Sequence, residues 1–91
     1  MDFFGFQTND EIILDLARRV ANVRKRRKIS QQQLANMSGV SYGSIKRFEN
    51  TGHISLFSLT RIANSLDCVD EIKNLFTRVE YKSIDEVFYE E

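Results

Sequence analysis

The chain has no proline and no tryptophan, four glycines, one cysteine and one histidine in 91 residues. Average usage of about 5% would place four or five prolines in this length, so their absence, with so few glycines, favours uninterrupted helices over a turn-rich β-sandwich. A single cysteine, Cys68, excludes an internal disulfide and a multi-thiolate zinc site. It reads as a small core residue at a turn between helices. The single histidine, His53, stands beside a glycine with no second His, Cys or spaced carboxylate to complete a metal site, and reads as an exposed loop residue. No apolar run reaches the roughly 18 residues of a membrane helix, and Met1 opens an aromatic, acidic segment rather than a basic signal peptide. A soluble, cytoplasmic chain without a membrane partner is expected. Ser-His-Asp and Cys-His arrangements, Gly-rich phosphate loops and HExxH strings are missing too, so neither catalysis nor a cofactor is expected.

What is present suits one compact core, since 42% of the residues are apolar and the length leaves no room for a second ordinary domain. The formal net charge is zero, but the charges are sorted along the chain. Residues 1–17 carry −4, residues 18–61 carry +9 with Glu49 as their one acid, and residues 62–91 carry −5. A basic segment of this density between acidic ends is either a nucleic-acid footprint or a solvated face balanced in space by those ends.

Capping signals divide the chain. Thr8-Asn9-Asp10-Glu11 is a capping box that opens a first helix, roughly 9–27, with Ile13, Leu16, Ala17, Val20 and Val23 as its apolar stripe. Acids in its first turn and bases at its end suit the helix dipole. Ser30-Gln31-Gln32-Gln33 caps a two-turn second helix, 31–38, closed by Gly39. Ser41 caps a third helix, about 41–50, with Ile45 and Phe48 inward, and Thr51-Gly52-His53 breaks it. Ser55 caps a fourth, with Leu56, Leu59, Ile62, Ala63 and Leu66 as its stripe, ending near Asp67. Val69, Ile72, Leu75 and Phe76 suggest a fifth, about 69–77, and Ser83-Ile84-Asp85-Glu86 is a capping-box match for a short terminal helix. The expected organisation is an N-terminal aromatic extension at 1–8, a helical domain at 9–77 and an acidic aromatic tail at 78–91.

Within residues 31–50 the spacing is specific. Gln31, Ala35, Gly39, Val40, Ile45 and Phe48 stand as in a helix-turn-helix, and each has a steric reason. Ala35 must be small where the third helix crosses the second. Gly39 must reach a positive φ to turn the chain in three or four residues, and Val40, Ile45 and Phe48 fill the wedge between the helices. An unrelated two-helix hairpin shares the small residue and the glycine, but not all six positions.

These residues resemble the Cro/CI phage-repressor type of helix-turn-helix proteins, the XRE family, over about residues 13–76 through VRKRRKIS, QQQLANMSGVSYGSIKRFE and ISLFSLTRIANSL. The resemblance implies an all-α, compact five-helix bundle in a bacterial or phage protein. It also implies a third helix in the major groove of double-stranded DNA, binding as a homodimer, Gln31 on a phosphate and Glu49 bracing an arginine of the first helix. Common members have a glycine two residues after that glutamate and then a proline. Here Glu49 is followed by Asn50-Thr51-Gly52 and no proline, which lengthens the loop by one residue. The string GSIKRFENTGHISL and the terminal YKSIDEV are similar to a subgroup that includes partners of kinase toxins.

Base contacts are then expected from Tyr42, Gly43, Lys46 and Arg47. Lys46 or Arg47 is suited to guanine, and Tyr42 to a thymine methyl or a phosphate. Gly43 costs the helix about 1 kcal/mol relative to Ala, which makes sense if a larger side chain would hold the helix off base edges; a plain surface glycine is the alternative. Phosphate contacts are expected from Gln31, Gln32, Ser41, Ser44, Asn50 and Ser55, several at helix N-termini that present free amides. The Arg24–Lys28 cluster reads either as a solvated helix end or as a source of long-range attraction.

Seven of the ten aromatics lie outside this centre: Phe3, Phe4, Phe6, Phe76, Tyr81, Phe88 and Tyr89. Two acidic segments so rich in Phe and Tyr pack on the fifth helix, on a second subunit, or on another protein. The sequence thus points to a transcriptional regulator, a homodimeric repressor, with an antitoxin that holds a kinase-type toxin through its tails as the alternative.

Overall fold

The computed structural model describes residues 6–78. Its regular elements are five helices: α1 Asn9–Arg26, α2 Gln31–Ser38, α3 Tyr42–Thr51, α4 Leu56–Ser65 and α5 Val69–Lys73. Four begin where a hydroxyl cap was expected. Thr8, Ser30, Ser41 and Ser55 each accept a hydrogen bond from the amide three residues on, and at Thr8 and Ser30 the reciprocal Glu11 and Gln33 side chains complete capping boxes. The expected terminal helix at Ser83–Glu86, the aromatics Phe3, Phe4, Tyr81, Phe88 and Tyr89, and all of the tail but Arg78 lie outside the described residues.

α3 packs on α1 and α2, and α4 packs on α2 and α5. The centre is Phe48, Leu34, Ile45, Ile62 and Leu66, each less than 2% exposed, joined by Ala17, Ala35, Val40 and Leu59. Burying each of the large side chains is worth about 1.5–3 kcal/mol, which sets the two helices of the motif against each other. Ala35, Val40, Ile45 and Phe48 are all buried, as their spacing required.

Two glycines hold turns that no other residue would hold without strain. Gly39 closes α2 at φ 75°, and a Cβ there would run into the Arg61 guanidinium. Gly52 closes α3 at φ 87°, and a Cβ would lie 2.5 Å from the carbonyl carbon of Ile13 in α1. The extra residue before Gly52 is therefore taken up by α3 itself, which runs through Thr51 and then meets α1 at the glycine.

Several expectations need correction. Of the stripe expected on α1, Ala17 is buried and Val20 and Val23 pack half-buried against the core, but Leu16 is 36% exposed, and the fully buried line runs on through Ala21 and Arg24. Leu56 is not part of the α4 stripe: it is exposed, because the inward line starts at Leu59. α5 stops at Lys73 rather than 77, and Asp67 and Phe76 turn the chain with left-handed φ values of 56° and 59°. Leu75 and Phe76 consequently point away from the core, with Phe76 99% exposed.

Candidate nucleic-acid interface

Ile45 and Phe48, three residues apart and both buried, set the rotation of α3. At about 100° per residue, the direction opposite this pair falls on Gly43 and Asn50, with Lys46 and Arg47 about 50° to either side. All four are exposed, as are Tyr42 and Ser44 on the flanks. The outermost line of the helix thus has a glycine in its first turn, an amide two turns later and two cations between them. A Cβ at Gly43 would meet nothing within 4 Å, so no packing inside the chain requires the glycine.

The charges on this face are free to act outward. The Lys46 ammonium lies 5.1 Å from the centre of the Tyr42 ring, and neither Lys46 nor Arg47 forms an ion pair among the described residues. Glu49, the one acid of the basic segment, is turned inward instead. Its oxygens accept from Arg24 Nε at 2.8 Å, Arg24 Nη2 at 2.9 Å and Gln31 Nε2 at 2.9 Å. Burial alone would push its carboxyl up, but those hydrogen bonds and the Arg24 charge outweigh it and hold Glu49 below the ordinary carboxylate range. Arg24 also donates through Nη1 to the Ile29 carbonyl at 2.7 Å. One arginine therefore ties α1 to α3 and to the turn before α2, and removes a carboxylate that would repel phosphate.

The helix ends offer amides. At α2, Ser30 takes up the amide of Gln33, which leaves those of Gln31 and Gln32 for an outside acceptor. At α4, Ser55 takes up the amide of Ser58 at 3.0 Å and leaves those of Leu56 and Phe57. The side chains expected on phosphates are less uniformly available. Gln31 is engaged with Glu49, Gln32 reaches Asn36 at 3.3 Å, and Ser41 donates to Ser44 at 2.8 Å while capping α3. Asn50 is exposed.

Arg24 does not belong to a solvated or steering cluster, contrary to expectation: it is only 7% exposed. Lys25, Arg26, Arg27 and Lys28 remain exposed, with Arg27 3.3 Å from Asp67. The sequence held a signal, because Arg24 continues the 17-21-24 line that faces the core. Arg61 was missed altogether. Its Nε donates to the Ser38 carbonyl at 3.0 Å, its guanidinium covers Gly39, and the Phe57 ring lies 5.5 Å from it, so α4 closes the C-terminal end of α2 and steadies the turn into α3. His53 is exposed, as expected, 3.8 Å from Asp10.

A family model described as helix-turn-helix matches residues 20–71, from the middle of α1 into α5, and so includes α2, α3 and α4 entire. No curated protein matches the chain. The match is to the broad family, and the narrower likeness to partners of kinase toxins draws no support from it.

Proposed function

The chain belongs to the helix-turn-helix family of the XRE type, whose members are DNA-binding transcription regulators, and from that premise we propose that it is a sequence-specific repressor acting as a homodimer. α3 enters the major groove with its N-terminal half, and Lys46 and Arg47 donate to guanine O6 and N7. Tyr42 packs on a thymine methyl or donates to a phosphate, and Gly43 lets the backbone come close to the base edges. Around this contact the free amides at Gln31 and Gln32, and those that follow Ser55, hold phosphates, with Ser44 and Asn50 as side-chain donors and Ser41 holding the Ser44 hydroxyl and amide in place. Two copies read half-sites about one helical turn apart, and occupancy of the operator blocks transcription.

The observation that carries this reading is the outward line of α3: a glycine without a packing role, flanked by two cations without ionic partners, opposite a buried Ile45–Phe48 pair. Selection of bound sites from random DNA, followed by a salt titration on the selected site, tests it. Log K should fall linearly with log salt, and Lys46→Ala should weaken the selected site by about 1–3 kcal/mol while leaving random DNA little changed. Equal loss on both would move Lys46 to a phosphate role, and equal affinity for selected and scrambled DNA would overturn sequence-specific binding.

A further inference from the structure

α1, α4 and α5 leave between them an open apolar groove of about 390 Å³, lined by Leu16, Val20 and Val23 of α1, Leu59 of α4, Cys68 and Ile72. Arg19 and Arg26 stand on its α1 wall and Glu71 on its α5 wall. All three are exposed, and none forms an ion pair among the described residues. At about 100° per residue, Leu16, Val20 and Val23 lie about 100° around α1 from the buried line of Ala17, Ala21 and Arg24, and Arg19 and Arg26 about 75° further out. Ile12, 49% exposed, extends this edge one turn before Leu16. No residue of α3 lines the groove, so covering it does not occupy Gly43, Lys46 or Arg47.

We propose that this groove is the surface through which two copies of the chain pair, an assignment that rests on the chain acting as a homodimer. The argument is charge complementarity of the groove with itself. Its two walls carry opposite signs, Arg19 and Arg26 on one and Glu71 on the other. A two-fold contact joins the same patch on both copies. With the two-fold axis running along the groove, the α1 wall of each copy meets the α5 wall of the other. Arg19 and Arg26 then face Glu71 of the partner subunit, and the contact is made twice. Between the charges, Leu16, Val20 and Val23 of each copy come onto the apolar α5 edge of the other, which removes from water a patch that the fold of one chain leaves open. A foreign helix of one charge would match one wall and oppose the other.

The charges supply the test. Arg19→Glu with Arg26→Glu reverses one wall, and Glu71→Arg reverses the other; all three positions are exposed, and circular dichroism follows the helices. Sedimentation equilibrium of the full chain gives the dimer dissociation constant for wild type, for each variant alone and for an equimolar mixture of the two. Each variant alone sets like charges against each other at both contacts, so its dissociation constant should rise by about tenfold or more. In the mixture every contact regains opposite charges, and association should return to within about threefold of wild type. Variants that pair as tightly as wild type, or a mixture that does not recover, would overturn the assignment to this groove while leaving a homodimer formed through another face. A wild-type chain that stays monomeric at about 1 mM would overturn the homodimer as well. Selection of bound sites from random DNA reports on DNA binding separately from both.

Discussion

Arg24 of α1 holds Glu49 of α3 through two parallel hydrogen bonds, Nε to Oε2 at 2.8 Å and Nη2 to Oε1 at 2.9 Å, with both side chains less than a tenth exposed. Removing one partner leaves the other charge buried and uncompensated, so Arg24→Ala should lower stability by about 3–5 kcal/mol in urea unfolding. The paired apolar replacement Arg24→Met with Glu49→Leu should cost much less, because it removes both charges together. If the double replacement lost as much as the single one, orientation of α3 by the ion pair would outweigh charge burial in the stability.

The same pair makes a signed statement about pH. Glu49 is held below its ordinary value of 4.5 in the folded chain, so the unfolded state binds more protons in the interval between the two values. The stabilisation is complete above 4.5 and is lost as pH falls through the lower, folded value. Wild type is thus expected to lose urea resistance on acidification more steeply than Glu49→Gln, and the gap between them to narrow as the medium becomes more acid. A gap that stayed constant across that range would assign the pair's contribution to shape rather than to ionisation.

Much of this was legible in the sequence because local chemistry decides it. The hydroxyls at Thr8, Ser30, Ser41 and Ser55 mark four helix starts, and Ile45 with Phe48 fixes the phase of α3 and so exposes Gly43, Lys46, Arg47 and Asn50. On α1 the phase was legible only in part, because apolar residues cover a wide arc: Ala17, Val20 and Val23 meet the core and Leu16 does not. Small Ala17 and Ala21 face the core, where α3 packs on α1, and larger Leu16 is 36% exposed. α5 ended early for a related reason: beyond Ile72 no described element covers Leu75 or Phe76. Arg61 was out of reach of any local rule, since its partner Ser38 lies 23 residues away.

The two left-handed glycines should differ in sensitivity. At Gly39 the atoms in the way belong to the flexible end of Arg61, so Gly39→Ala is expected to cost mainly the left-handed conformation, about 1–2 kcal/mol. At Gly52 the nearest atoms are the backbone of Ile13, which cannot swing aside, so Gly52→Ala should cost about twice as much or more. Thermal unfolding of the two variants gives the order directly, and the reverse order would mean that the turn between α2 and α3 is the less forgiving junction.

Gly43 separates folding from recognition. A Cβ there has open space on every side, and alanine favours the helix by up to about 1 kcal/mol, which for a domain of this size raises Tm by roughly 4–8 °C. If α3 approaches base edges at Gly43, the added methyl occupies the space that closest approach requires, and affinity for the selected DNA site should fall by about tenfold or more. Binding to random DNA, which depends on phosphate contacts, should change little. A more stable protein that binds its own site less well is the expected outcome for Gly43→Ala. Unchanged affinity with raised stability would make Gly43 an ordinary surface glycine and shift specificity to Lys46 and Arg47.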